Sequence, residues 1–169
     1  MVNLSNKERF LLEGEKYQQQ RAIDKYNNYA IQAEDSSLKS LFSNLAKVEE
    51  RHLEMINKLL NGSLPSLNSQ YIHPYYESNI SLYNNYFNVG NITLTSVDKS
   101  FKDGDKIICF EALTTEELLY STYSSSFSEF KTTNLKNIFD TILKEKQENL
   151  KYLNDYMVTK GMYDNTVFF

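Results

Sequence analysis

The feature that most constrains the fold is the spacing of apolar residues, which follows the period of an α-helix in four separate segments. Glycine and proline weaken helices, and the 169 residues contain only 5 glycines and 2 prolines. The spacing predicts an all-α chain whose helices cover residues 7–33, 38–61, 106–130 and 134–159. Turn and cap residues separate the first two of these helices, as an all-α hairpin requires.

Residues 62–104 form a long interruption between the second and third predicted helices. They contain both prolines, three of the glycines and five of the 13 tyrosines. A helix of about 24 residues spans roughly 36 Å, so a parallel neighbour must begin at its far end. Ferritin-like bundles contain one connection of this kind. We therefore predict a single domain, residues 1–169, that forms a ferritin-like four-helix bundle with a Tyr-rich crossover between its second and third helices.

The two predicted hairpins resemble each other in sequence. Sliding the chain on itself by 97 residues places aromatic and aliphatic residues of the first hairpin on similar residues of the second. The matched pairs are Tyr26 with Tyr123, Leu38 with Leu135, Phe42 with Phe139, Leu45 with Ile142, and Ile56 with Leu153. A helical hairpin that is used twice and joined by a long loop is the plan expected of a ferritin-like bundle.

Charge, hydropathy and cysteine content argue against several classes of protein. The net charge is −4 without a cluster of Lys or Arg, so no nucleic-acid partner is expected. No apolar run approaches the roughly 20 residues of a membrane span, and the start of the chain lacks the apolar core of a secretory signal. The single cysteine, Cys109, cannot form a disulfide within the chain. We expect the chain to stay in the cytosol after synthesis, without membrane insertion.

The second predicted helix contains a Glu-x-x-His sequence, Glu49 to His52. A di-metal site in a ferritin-like bundle takes one Glu from each of two helices and a Glu-x-x-His pair from each of the other two. Glu49 and His52 lie in register with Leu45 and Ile56, so both are predicted to face the interior. They are candidate metal ligands; the alternative is that His52 is a core histidine hydrogen-bonded to a carboxylate.

The repeat indicates where the other ligands belong. At the 97-residue offset, the partners of Glu49, His52 and Glu116 are all residues that suit a hard di-iron site poorly. These substituted positions are Lys146, Asn149 and Gln19, respectively. Only three of the six expected ligands remain, and most of the carboxylate charge that holds two divalent cations is lost. We predict a degenerate site without a cofactor, with Fe or Mn at a partial site of Glu49, His52 and Glu116 as the alternative.

Lys146 carries a positive charge where a metal ion is expected. We predict that its ammonium group lies between Glu49 and Glu116, because a buried carboxylate needs a partner. A competing register uses Glu145 and Glu148 as ligands in place of the residues that the offset gives. The phase of the helix alone does not decide between the two registers.

Several short motifs outside residues 63–104 are typical of one family. They are Leu38 to Phe42, Glu49-x-x-His52 and Leu59-Leu60-Asn61-Gly62 in the first hairpin, and Thr115-Glu116, Ser121-Thr122-Tyr123, Tyr152-Leu153-Asn154-Asp155-Tyr156-Met157 and Lys160-Gly161-Met162-Tyr163 in the second. By these motifs the chain resembles the ferritin-like spore coat proteins of endospore-forming Firmicutes, the coat-F-like family, in a Clostridium-type form. That family usually carries a glutamate and a histidine where this chain has Lys146 and Asn149.

The resemblance implies a structural component of the spore coat rather than an enzyme. It implies synthesis in the mother-cell cytoplasm during sporulation, deposition in the coat or outer spore layers, and partners that are the chain itself and other coat proteins. Tyrosines supply large contact areas with a polar tip, and the likeness implies that exposed ones are oxidised to dityrosine cross-links. The candidates are Tyr71, Tyr75, Tyr76, Tyr83, Tyr86 and Tyr163. The alternative is that they pack the crossover onto the helices.

Two other functions stay open at this point. A ferritin-like metalloenzyme, an oxidase, peroxidase or catalase relative, needs enough of the six-ligand set to hold Fe or Mn. A helical partner-binding module would dock another protein through the aromatic loop, and exposed apolar area around residues 71–89 would favour it.

Overall fold

The computed structural model of the chain describes residues 2–67 and 101–163. These residues form four long α-helices and, within the described ranges, no β-strand. The helices are α1 (Asn6–Gln32), α2 (Ser36–Leu60), α3 (Asp103–Glu129) and α4 (Thr133–Thr159). The prediction of an all-α four-helix bundle that consists of two hairpins is confirmed.

Contacts between the helices define their directions. α1 packs against α2, and α3 against α4; the two hairpins meet where α1 contacts α3 and α2 contacts α4. Glu8, at the start of α1, bonds Thr132 just before α4, whereas Glu34, just after α1, bonds Asp105 at the start of α3. α1 and α3 are therefore antiparallel, and α2 and α3 run in the same direction. The end of α2 and the beginning of α3 lie at opposite ends of the bundle.

Most of the predicted Tyr-rich crossover, residues 62–104, lies outside the described residues, since residues 68–100 are not among them. The interface candidates Tyr71, Tyr75, Tyr76, Tyr83 and Tyr86 belong to that part of the chain. Their roles, and the assignment of residues 1–169 to a single domain, stay predictions.

Short-range hydrogen bonds explain where the helices begin and end. The Ser5 hydroxyl accepts the Glu8 N–H at 3.2 Å, and the Glu8 carboxylate accepts the Ser5 N–H at 2.9 Å, so a capping box opens α1. Asp35 caps α2 by accepting a first-turn N–H at 3.0 Å. Gly62 and Gly161 follow α2 and α4 with φ values of 74° and 66°. This left-handed conformation is open to glycine, and it terminates both helices.

The core repeats one aromatic arrangement in each hairpin. Tyr26 stacks on Phe42 with ring centroids 6.2 Å apart, and Tyr123 stacks on Phe139 at 5.3 Å. All four rings are fully buried. The aliphatic pairs of the repeat are buried as well, namely Leu38, Leu135, Leu45, Ile142, Ile56 and Leu153. The 97-residue repeat thus marks residues that occupy equivalent places in the two hairpins.

One acidic side chain of each hairpin caps the turn of the other hairpin. Glu8 Oε1 accepts the backbone N–H groups of residues 131 and 132, both at 3.2 Å. Asp105 accepts the backbone N–H groups of residues 34 and 35 at 2.8 and 3.0 Å. The offset of 97 residues relates all three positions of one cap to those of the other. The hairpins are therefore related by an approximate twofold axis, and each supplies acceptors to turn N–H groups that the helices leave unsatisfied.

We expect Glu8→Gln and Asp105→Asn each to lower the free energy of unfolding by about 1–3 kcal/mol, because each change removes a charged acceptor from two N–H groups. The pKa of Glu8 is lowered to about 2: burial raises it, but the bonds from Ser5, residues 131 and 132 outweigh burial. The Glu8 contribution is therefore present above pH 4.5 and is lost as the pH falls towards 2. Urea unfolding at pH 7 and pH 3 measures both effects.

The matched control is Glu129→Gln, which removes an exposed carboxylate that pairs with Lys7 at the same end of the bundle as Glu8. Exposed ion pairs contribute little, so this variant should unfold like the parent chain. The two caps lie at opposite ends of the bundle. The losses of unfolding free energy in Glu8→Gln and Asp105→Asn should therefore add in the variant that carries both changes. A loss in E129Q as large as that in E8Q would contradict the capping role.

Candidate functional site

A cluster of polar side chains lies between the four helices, in the middle of the bundle. α1 contributes Gln19, α2 contributes Glu49 and His52, α3 contributes Glu116, and α4 contributes Lys146 and Asn149. All six are fully buried, with 0% of each residue exposed. The structure therefore brings together the three candidate ligands and the three substituted positions named from the sequence.

Lys146 provides the positive charge of this cluster. Its Nζ lies 2.8 Å from Glu49 Oε2 and 3.9 Å from Glu116 Oε2, which is the position expected from the repeat. It also lies 5.0 Å from the centroid of the Tyr123 ring, close enough for a cation–π contact. Burial lowers the pKa of Lys146, but the two carboxyl groups outweigh burial and raise it, so the amine is an ammonium group.

Glu49 is the carboxylate that balances this charge. It accepts hydrogen bonds from Lys146 Nζ at 2.8 Å and from Asn149 Nδ2 at 2.9 Å, and the Gln19 amide also contacts it. Gln19 Nε2 additionally donates to the Glu49 backbone carbonyl at 3.0 Å. Burial raises the pKa of Glu49, but Lys146 and His52 outweigh it, and the pKa lies well below its usual range. Glu49 is therefore ionised.

The pKa of Glu116, on α3, is shifted in the opposite direction to that of Glu49. Its Oε1 accepts the Tyr26 hydroxyl at 2.6 Å and the Asn149 amide at 3.4 Å, while its Oε2 has no hydrogen-bond partner among the described residues. Burial, together with the neighbouring Glu49 charge, raises the pKa of Glu116 to about 8 against the pull of Lys146. At pH 7 the cluster thus holds one ammonium group, one carboxylate and one neutral carboxylic acid.

His52 is bonded to a carboxylate, as the alternative interpretation of the sequence had it. Its Nε2 lies 2.8 Å from Glu145 Oε2, and Glu145 in turn pairs with Arg51. Burial lowers the pKa of His52 to about 4 in spite of Glu49, so the ring is neutral. The other ring nitrogen, Nδ1, lies 3.5 Å from Glu49 Oε2.

The two residues of the competing register lie in different surroundings. Glu148 lies on the exposed surface of α4, whereas Lys146 and Asn149 face the interior. Glu145 is buried at the edge of the cluster, where it bonds His52 and Arg51 rather than facing Glu116. Lys146 and Asn149 are both fully buried, whereas of the competing pair only Glu145 is buried.

Two tyrosine hydroxyl groups complete the cluster, and sequence reasoning missed them. Tyr26 donates to Glu116, and Tyr123 donates to Gln19 Oε1, both at 2.6 Å. The same offset of 97 residues relates the two bonds. The repeat had marked both tyrosines as apolar core residues, and the fact that both are tyrosine rather than phenylalanine was the available signal.

Glu15 is a further buried acid, on α1. It is only 2% exposed, and its Oε1 accepts the Ser126 hydroxyl at 2.5 Å. Burial raises the pKa of Glu15 above its usual value. It lies within the electrostatic range of Lys146, so it belongs to the surroundings of the cluster.

The residues present do not fit a pair of divalent metal ions. Within residues 2–67 and 101–163, no group of three or more His, Cys, Asp or Glu side chains is arranged to hold a metal ion. The Lys146 ammonium group lies against Glu49, and neutral amides occupy the positions of two further ligands. A di-metal site needs the charge of several carboxylates, and this cluster has one ionised carboxylate for one ammonium group.

Tyr163 is the interface candidate that falls within the described residues. It is half-buried: its hydroxyl donates to Asn154 Oδ1 at 2.8 Å, and its ring meets the edge of Phe110 at 5.8 Å. Its ring therefore packs against α3 and its hydroxyl bonds α4. Phe10 and Tyr17 on α1 and Phe110 on α3 are more exposed aromatic side chains within the described part of the chain.

The second hairpin is similar to a known protein family. Residues 104–166, which include almost all of the second hairpin, match the family described as the Coat F domain. No curated protein matches the chain, and no solved structure matches it. Of the helices in the described ranges, none has the length and apolar character needed to cross a membrane.

Proposed function

We propose that the chain is a structural, self-associating component of the spore coat, because residues 104–166 match the Coat F domain family. The observation that carries the proposal is the closed centre of the bundle. A catalytic metal site keeps a position open for substrate, whereas here Lys146 and Glu49 neutralise each other with no exposed surface. A closed centre of this kind stabilises the bundle as a scaffold. The proposed self-association then depends on residues at the surface of the bundle.

The proposal includes a ferritin-like scaffold whose metal centre is degenerate. Two hairpins with an approximate twofold axis support it, as do the positions of Glu49, His52 and Glu116 at the level where such bundles hold metal. We further propose synthesis in the mother-cell cytoplasm before deposition in the coat. The support for deposition in the coat is the match of residues 104–166 to the Coat F domain family.

The metalloenzyme alternative, an oxidase, peroxidase or catalase relative with Fe or Mn, has weaker support. Its three candidate ligands are all engaged: Glu49 by Lys146, Glu116 by Tyr26, and His52 by Glu145. We therefore propose that the protein works without a resident cofactor. The partner-binding alternative rests on residues 71–89, which lie outside the described residues.

Self-association is proposed to involve exposed aromatic and aliphatic side chains. Phe10, Ile31 and Ile107 are 77%, 78% and 60% exposed on the outer faces of α1 and α3. Exposed side chains of this size bury large apolar areas in an interface, and aromatic residues are enriched at interface centres. We propose that the tyrosines of the crossover act with them, because five of them fall within residues 71–86.

Sedimentation velocity of the full chain over a wide concentration range tests the proposal. We expect species larger than a monomer at high concentration, and we expect a variant with the five crossover tyrosines changed to serine to associate about tenfold more weakly or worse. The control is Tyr120→Ser, which changes a tyrosine of α3 outside the crossover. A chain that stays monomeric throughout, or a crossover variant that associates like the parent, would refute self-association through this segment.

A further inference from the structure

The outer face of α1 carries large exposed side chains at a regular spacing. Phe10, Tyr17 and Ile31 are 77%, 66% and 78% exposed. Together with the exposed Asp24 they recur every seven residues, which is close to two turns of an α-helix, so the four side chains follow one line along the helix. We call this line the α1 stripe; it is about 32 Å long. Single exposed apolar residues are ordinary, but a row of them on one face indicates an interaction surface.

The second hairpin shows that the fold does not require apolar residues on this face. The positions of α3 that lie 97 residues after those of the α1 stripe are Ile107, Thr114, Ser121 and Ser128. Three of these four side chains are hydroxyl groups, although α3 occupies the place in the second hairpin that α1 occupies in the first. The bundle therefore tolerates polar residues here, and the apolar residues of α1 need another explanation.

We propose that the α1 stripe packs against the α1 stripe of a second copy of the chain, with the two helices antiparallel. This inference rests on the proposed self-association and assigns a surface to it. The register that brings Phe10 level with Ile31 of the second copy also brings Tyr17 level with Asp24 of that copy. A twofold axis repeats both contacts, so the stripe is complementary to itself when it is reversed.

The charges beside the stripe favour the antiparallel orientation. In this register Lys16 is within one residue of the level of Asp24 of the second copy. Arg21 lies over the ring of its own Tyr17, 5.8 Å from the centroid, and Tyr17 is level with the same Asp24. Each Asp24 would thus meet two basic groups across the interface. A parallel pair in register would instead place each charge against its own copy, and like charges that face each other are unfavourable.

The size of the contact predicts its strength. Stable specific complexes bury about 1,200–2,000 Å² in total, and a row about 32 Å long and one helix wide covers less than that. Contact through α1 alone should therefore give a weak dimer. The tyrosines of the crossover would add to it in the proposed self-association.

Cross-linking at exposed positions tests the orientation. The variants F10C and I31C each add one reactive thiol, because the native Cys109 is 0% exposed and burial raises its pKa to about 12. The two variants are mixed in equal amounts, at a concentration at which sedimentation shows association of the parent chain, and treated with a short bismaleimide. We expect a covalent dimer in the mixture. We expect none from either variant alone, because the same position on two antiparallel helices would be roughly 30 Å apart.

The matched control is I107C, mixed with I31C in the same way. Ile107 is exposed and corresponds to Phe10 in the repeat, but it lies near the start of α3 and therefore at the opposite end of the bundle from Phe10. The two thiols would then be far apart in the antiparallel dimer, and this mixture should give no covalent dimer.

Exchange of charges tests the register independently. Lys16→Glu and Asp24→Lys each place like charges together, and each should weaken association about tenfold. The variant K16E/D24K restores opposite charges and should return to within about threefold of the parent chain. Lys47→Glu, at an exposed position of α2, is the control and should associate like the parent. Sedimentation velocity over a range of concentrations measures all four variants.

Four results would overturn the inference and leave self-association in place. They are an associating parent chain with no covalent dimer in the F10C and I31C mixture, self-cross-linking of either variant as readily as the mixture, an equal yield in the I107C control, and a K16E/D24K variant that associates as weakly as the single variants. A parent chain that is monomeric at every concentration would overturn both the inference and the self-association on which it rests.

Discussion

Replacing Lys146 with methionine is expected to lower the free energy of unfolding by about 3–5 kcal/mol, because it leaves the Glu49 carboxylate buried without its counter-ion. Glu49→Gln should cost a similar amount, since it leaves the ammonium group without a carboxylate at 2.8 Å. Both residues are fully buried, so neither charge can turn to water. Urea unfolding at pH 7 measures the two changes.

The double variant E49Q/K146M decides whether the pair acts as a unit. Replacing both partners of a buried ion pair by neutral residues of similar size is often close to neutral, so the double variant should be far more stable than the sum of the single costs implies. The control is Lys144→Met on the exposed face of α4, where the pair with Asp140 is open to solvent and should matter little. If the stability losses of the two single variants simply added in the double variant, Lys146 and Glu49 would not depend on each other.

The fold was predictable because its signals are local and repeated. Apolar residues at helical spacing, few glycines and prolines, and glycines placed after the second and fourth helices are all properties of short windows of sequence. The parallel course of α2 and α3 was predictable from the long interruption between them. The course of the chain within residues 68–100 stays a prediction.

The site could be predicted in part because the bundle is approximately twofold. The offset that aligns Phe42 with Phe139 also aligns Glu49 with Lys146, and helices of equal phase place equivalent residues at the same level of the core. That geometry led to the expected contact between Lys146 and Glu49. No motif in a single helix would have indicated it, because the contact joins residues 97 positions apart.

The remaining contacts of the site were beyond the sequence because they depend on side-chain direction. Whether His52 turns to Glu145 or to another acid depends on rotamers and on the distance between α2 and α4. Glu8 and Asp105 looked like ordinary acids in the first turn of a helix, yet each bonds a turn that is far away in sequence. Long-range hydrogen bonds of this kind leave no periodic signal.

The protein should become less stable as the pH rises from about 6.5 to 8, because the buried Glu116 carboxyl group resists losing its proton in the folded state. Its pKa is raised from 4.5 in the unfolded chain to about 8 in the folded one, chiefly by burial, so the folded state holds a proton that the unfolded state has lost. Its contribution is therefore complete below pH 4.5 and declines as the pH rises to about 8. One proton corresponds to about 1.4 kcal/mol per pH unit, or roughly 2 kcal/mol across this window.

His52 has the opposite dependence and can be separated from Glu116. Its folded pKa of about 4 lies below the ordinary value of 6.5, so stability rises with pH between these values and is then constant. Above pH 6.5 His52 therefore does not account for the decline, and replacing Glu116 tests whether that residue does. Glu116→Gln imitates the protonated acid, still accepts the Tyr26 hydroxyl at its carbonyl oxygen, and should abolish the decline.

Urea unfolding of the parent chain, E116Q and E117Q at pH 6.5 and pH 8 completes the test. Glu117 is exposed beside Glu116 on α3, so E117Q changes the net charge by the same amount and should keep the decline of the parent chain. At pH 8 we expect E116Q to be more stable than the parent, which is unusual for a change at a fully buried residue. If E116Q instead lost stability equally at both pH values, Glu116 would be ionised in the folded protein. Lys146 would then balance two carboxylates rather than one.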